Sequence, residues 1–107
     1  MNRQLPLILK ELRSRFERLY GERLVNMVLY GSQARGDAED GSDIDVMVVL
    51  EGPASPSEEI ARTEFDVAAL SLDHNVSIAC FFVSREQFES EESPLLLNVR
   101  REGVPVS

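Results

Sequence analysis

The sequence predicts an α+β (α/β) fold for residues 1–107, a small mixed β-sheet flanked by helices in a single domain. Three observations predict it. The runs 24–30, 44–50 and 76–83 are short, mostly apolar and rich in branched or aromatic side chains, as buried strands are. Residues 5–19 and 57–72 instead repeat apolar side chains at steps of three and four, the helical period. Gly and Pro fall between these segments, and no internal repeat or low-complexity tract is present.

In the first segment Leu5, Ile8, Leu12, Phe16 and Leu19 form one apolar face, with Arg13, Arg15 and Arg18 elsewhere and Gly21 as the stop. These five residues are expected in the core. LVNMVLY, Leu24 to Tyr30, follows as a strand bounded by Gly31, and Tyr30 at its end is expected to pack. After a polar, glycine-bearing stretch, Ile44 to Leu50 is the second strand, ended by Gly52, Pro53 and Pro56. Ser57 to Leu72 is the second long helix, with Ala61, Phe65, Ala68 and Leu72 as its expected inner face and Glu58 and Glu59 in the first turn. Val76 to Val83 is the third strand, with Phe81 and Phe82 expected in the core. Ser84 with Gln87 then makes a capping box for a short helical turn. Ser93-Pro94 opens a last helix whose apolar face is Leu95, Leu96 and Val99, closed by Gly103.

Composition limits the function. With 43% hydrophobic and 28% charged residues the chain is neither disordered nor collagen-like. Its only cysteine, Cys80, excludes an internal disulfide and a cysteine-rich zinc site, and suits a buried thiol in a reducing cytoplasm. No window approaches the roughly 20 apolar residues that cross a bilayer, so neither export nor membrane insertion is expected. The net charge of −8 is uneven: residues 1–23 carry +3, residues 24–93 carry −12 and residues 94–107 carry +1. An acidic middle repels a nucleic-acid backbone, which argues against direct nucleic-acid binding and for carboxylates that hold cations.

Such carboxylates lie in GSQARGDAEDGSDID, between the first two strands. Gly31 and Ser32 end a strand and open a short helix, which aims backbone N–H groups at whatever sits above the turn. Gly31 allows close approach, and Ser32 can cap the helix or donate its hydroxyl to a phosphate oxygen. Asp43 and Asp45 are two apart on an extended chain and so share a face, where their mutual repulsion is relieved by a divalent cation. Oxygen ligands of this kind are what Mg²⁺ prefers. Arg35 offers a further phosphate contact or a solvated helix position.

Gly31-Ser32, ten intervening residues and Asp43-Ile44-Asp45, within LYGSQARGDAEDGSDIDVMVV, resemble the nucleotidyltransferase superfamily that includes DNA polymerase beta. The resemblance is closest to its minimal nucleotidyltransferase branch and extends in segment order over nearly the whole chain. It implies the polymerase beta-like nucleotidyltransferase fold and transfer of a nucleoside monophosphate from a Mg²⁺-bound triphosphate to a hydroxyl. Asp43 and Asp45 would be catalytic and hold the metal, while Gly31, Ser32 and Arg35 would bind phosphate, with ATP as substrate and Mg²⁺ as cofactor.

Active members of this family carry a third acid on a later strand. That strand here reads Val76-Ser77-Ile78-Ala79-Cys80, with Ser77 at the expected place and Asp73 and His74 as the nearest substitutes. Small members resemble the antitoxin halves of prokaryotic two-gene systems, which attach AMP to a tyrosine of a helical ribonuclease toxin of the HEPN class. The expected partners are therefore ATP and a HEPN-type helical protein, with no direct nucleic acid, no membrane and an oligomer left open. Two other readings remain at this point: a catalytically impaired, nucleotide-binding antitoxin or regulatory subunit that acts by covering its partner, and a small-molecule transferase of the aminoglycoside-modifying type.

Overall fold

In the computed structural model, which describes residues 4–39 and 41–106, four strands and five α-helices form an α+β layer structure. Helix α1 (Leu5–Tyr20) begins with Pro6 in its first turn and stops at Gly21, and a 3₁₀ turn over Gly21–Arg23 leads into β1 (Leu24–Tyr30). Next come α2 (Gly31–Arg35), β2 (Ile44–Leu50) and the long helix α3 (Pro56–His74). Strand β3 (Ile78–Ser84) passes directly into α4 (Arg85–Ser90), whose capping box of Ser84 and Gln87 is fully formed. Helix α5 (Pro94–Glu102), capped by Ser93, and the two-residue strand β4 (Val104–Pro105) complete the chain.

The sheet order is β3-β2-β1-β4. Strand β1 is antiparallel to both β2 and β4, whereas β2 and β3 are parallel because α3 crosses over between them. One sheet face carries Ile44, Val46, Val48, Leu50, Ile78 and Phe82 and packs on α1 and α3. The other carries Val28, Met47, Val49 and Val83, and is covered by Leu96 and Val99 of α5.

Three expectations about burial are corrected. On α1 the fifth core position is Tyr20, not Leu19, which is exposed; Tyr20 is drawn inward because its hydroxyl donates to Glu59 on α3. On β3, Phe81 is exposed and Phe82 buried, since successive strand residues face opposite sides and only Phe82 points into the core under α1 and α3. The largest difference is on α3. Its buried residues are Glu59, Thr63 and Leu70, while the apolar set Ala61, Phe65, Ala68 and Leu72 faces outward. Glu59 can sit inside because Tyr20, Arg62 and Arg23 surround its carboxylate at 2.8, 3.2 and 4.0 Å. Cys80, expected to be buried, is half-buried at the edge of the core, and desolvation pushes its thiol up to about 12, far from reactivity at neutral pH.

Candidate functional site

Strand β1 turns into α2 without a loop, and glycine is what permits it. Gly31 has φ +75°, and a Cβ built there would lie 2.5 Å from Asp45 Oδ2, so the Asp45 carboxylate rests against the Gly31 backbone. Gly36 ends α2 in the left-handed conformation, its N–H donating to the Ser32 carbonyl at 3.0 Å. The expected capping role of Ser32 is not observed: the N-cap is the extended residue Tyr30, and no side chain closes the first turn. With only five residues the helix has a small dipole, so the uncapped N–H groups are what this turn offers an anion.

The carboxylates are placed by strand register. Ile44 N–H donates to the Ser77 carbonyl at 2.8 Å, which ties the start of β2 to the approach of β3. Asp45 is then flanked by Tyr30 on β1 and Ala79 on β3. Strand alternation puts Asp43 and Asp45 on the face that α5 covers, Asp43 exposed and Asp45 half-buried. Burial, reinforced by the charge of Asp43, raises the Asp45 pKa above the ordinary 3.8. Burial likewise raises Tyr30, with the Asp45 carboxylate adding to the effect. A carboxylate whose ionisation burial and a neighbouring charge oppose suits a divalent cation, and Mg²⁺ is commonly held by one or two protein carboxylates with water and phosphate oxygens completing its shell.

Beside this turn lies a cleft of about 190 Å³ lined by Tyr30, Gly31, Arg35, Asn98, Val99 and Glu102. Arg35 is exposed at its mouth, 3.2 Å from Asp37 and 4.0 Å from Glu102. Gln33 is buried behind the turn: its Nε2 reaches the Ser42 carbonyl at 3.5 Å and its Oε1 has no partner. The structure thus brings Gly31 and Asp45 into contact, with Asp43 on the same strand face, Ser32 in the turn and Arg35 at the cleft edge. Tyr30, whose place in the sequence suits packing or stacking on a base, lines this cleft, and Asn98 and Glu102 reach it from α5 with no local signal of it in the sequence.

The structure places no acid at the third-acid position that the sequence expects at Ser77. The in-register neighbour of Asp45 is Ala79; Ser77 stands level with Asp43, before β3 begins, and both residues lack a carboxylate. Asp73 and His74 do not substitute. The His74 ring is held by Gln4 and by Glu11 Oε2 at 2.8 Å, and Asp73 lines a surface depression with Ser14 and Arg18 of α1. Among the described residues no three His, Cys, Asp or Glu side chains come together as a metal site. Arg100 is also structural, donating to the Phe88 and Glu91 carbonyls.

A family model described as a nucleotidyltransferase domain matches residues 9–98. The chain belongs to the nucleotidyltransferase domain family. Solved structures agree with this nucleotidyltransferase domain in fold. A chain assigned as a minimal nucleotidyltransferase superposes with a TM-score of 0.64 at 25% identity, covering 95% of this chain and 92% of that one. A toxin–antitoxin structure with AMP-PNP gives 0.64 at 18% identity, over 90% of this chain and 70% of that one. The toxin–antitoxin MntA-HpeT, bearing two aspartate-to-glutamate substitutions two residues apart, gives 0.61 at 14% identity, over 89% and 69%. No curated protein matches the sequence. Among the described residues no helix is long and apolar enough to cross a membrane.

Proposed function

We propose that this nucleotidyltransferase domain transfers AMP from Mg²⁺-ATP to a hydroxyl of a partner protein, a tyrosine of a HEPN-class helical ribonuclease toxin, and so acts as the antitoxin. The observation that carries the reading is the contact of Gly31 with Asp45, which sets the first turn of α2, capped by no side chain, against a carboxylate pair. Asp43 and Asp45 would hold Mg²⁺, which supplies charge neutralisation on the triphosphate. The Gly31-Ser32 turn and Arg35 bind the β- and γ-phosphates and align the leaving group. The acceptor oxygen attacks the α-phosphorus, the bond to the bridging oxygen breaks, and pyrophosphate leaves. With Ser77 and Ala79 beside the aspartates, the described residues offer no third carboxylate there to take the acceptor's proton, so that proton passes to a group of the acceptor or to water. The toxin–antitoxin neighbours support a protein acceptor, and the net charge of −8 favours a basic partner.

The missing acid also favours a second reading, an antitoxin that binds nucleotide and inhibits by contact alone. Intact mass of the co-expressed partner after incubation with ATP and Mg²⁺ separates the two. Transfer adds whole AMP units to the partner, and Asp43→Ala/Asp45→Ala abolishes the gain. An unchanged mass, together with Mg²⁺-dependent ATP binding by calorimetry, leaves the binding-only antitoxin.

A further inference from the structure

Helix α3 has two unlike faces. Toward the sheet it presents Glu59, Thr63 and Leu70, whereas the opposite side carries Ala61, Phe65, Ala68 and Leu72. Phe65 is 80% and Leu72 83% exposed, more than solvated side chains of this size usually are in a row. The spacing of four, three and four is that of the a and d positions of a left-handed coiled coil, a seam made to meet another helix.

The order of sizes along the seam says which helix. It reads small, large, small, large. If a second copy of α3 runs antiparallel about a twofold axis between residues 66 and 67, Phe65 meets Ala68 of the second copy and Leu72 meets its Ala61. Every layer then pairs one large side chain with one small, as close packing requires. A parallel pairing in register would set Phe65 on Phe65 and Ala68 on Ala68, alternating clash and void. Charges agree with the antiparallel arrangement, because beside the seam Arg62 falls opposite Ala69 and Glu64 opposite Ser71, so no like charges face each other. Beside the seam an open groove of about 520 Å³ between α3 and β3, lined in part by Ile60, Val67, Cys80 and Phe82, extends the apolar surface. That added surface matters, since a specific interface buries at least about 1,200 Å² and the seam alone is only about 17 Å long.

We propose that α3 is a homodimer interface, in which two copies of this chain pair their helices antiparallel through Ala61, Phe65, Ala68 and Leu72. The pairing stands apart from the nucleotide reading, because α3 packs on the sheet face opposite the one that carries Asp43 and Asp45.

Sedimentation equilibrium of the purified full chain tests it. The expected particle is twice the 12.0 kDa monomer, and added salt should strengthen it by screening two bodies of charge −8. Phe65→Glu should weaken association at least about a hundredfold, since a carboxylate cannot enter an apolar layer without losing its water. Ala68→Phe should also disrupt it, and Phe65→Ala/Ala68→Phe should recover it by restoring one large and one small residue per layer. Both positions are exposed in the single copy, so circular dichroism should report an unchanged fold. A wild-type chain that stays at 12.0 kDa at every concentration overturns the proposal. So does a dimer indifferent to Phe65→Glu, or a double variant that fails to recover. Loss of partner capture in Phe65→Glu from a chain that is itself monomeric would also overturn it and give the seam to the partner.

Discussion

At Gly31 a single missing methyl group decides whether the turn and the carboxylates meet. A Cβ there would collide with Asp45 Oδ2, and φ +75° disfavours any side chain, so relief must come from moving the turn or Asp45. Gly31→Ala should therefore cost about 1–3 kcal/mol of stability by chemical denaturation. It should also weaken ATP binding by calorimetry more than a comparably destabilised core variant does. Ala79 poses the opposite experiment, since the register places it beside Asp45, where a carboxylate would come nearest to the buried aspartate. Ala79→Asp should raise the transfer rate by about 10²-fold, a usual contribution of a positioned base, while Ser77→Asp, one pair removed, should do less. An equal or reversed ranking would mean that register does not locate the missing base. The Gly-Ser and Asp-x-Asp spacing was legible in the sequence because it lies within one hairpin. Which of Ser77 and Ala79 stands beside which aspartate was not, because it depends on how β3 registers against β2 across the whole of α3.

Among the elements, the three long strands and the helices were legible from periodicity, the boundary of β3 moving only from Val76 to Ile78. Strand β4 was not legible, because two residues carry no period and Val104-Pro105 joins the sheet only by lying beside β1. Helix α3 is the instructive case. Its apolar period is real, yet it marks the face turned away from the sheet, while the inner face is set by a polar cluster that hydrophobicity does not report. Glu59 is buried with Tyr20, Arg62 and Arg23 around it, and this cluster fixes the rotation of α3 against α1. Tyr20→Phe removes the 2.8 Å donor and leaves Glu59 Oε1 with Arg62 alone, at 3.2 Å. It should cost about 1–3 kcal/mol in urea denaturation. A loss below a few tenths would mean that the arginines alone hold the carboxylate and that the helix rotation has another cause.

On the scale of the whole molecule, the two sheet faces divide the work, with the large core under α1 and α3 and the carboxylate pair on the thinner face under α5. The molecule is held together by one face while the other carries a charge arrangement that opposes folding. Asp45 shows how that opposition depends on pH. Its pKa in the fold is raised above 3.8 by burial and by Asp43, so the protonated carboxyl is the form that the fold favours. The contribution of that proton is fully present below pH 3.8 and is lost as the pH rises through the raised value, leaving the ionised pair as a net cost at neutral pH. Asp45→Asn removes the charge and keeps the shape, so it should raise the Tm at pH 7. The gain should fade as the pH approaches 3.8 and vanish below it. Magnesium should act the other way round, stabilising the wild type by about 2.7 kcal/mol at a hundred times its Kd and the variant much less. Melting both proteins from pH 3 to 8 with and without Mg²⁺ measures both effects. A variant less stable than the wild type at pH 7 without metal would mean that Asp45 is a structural residue whose charge the fold needs.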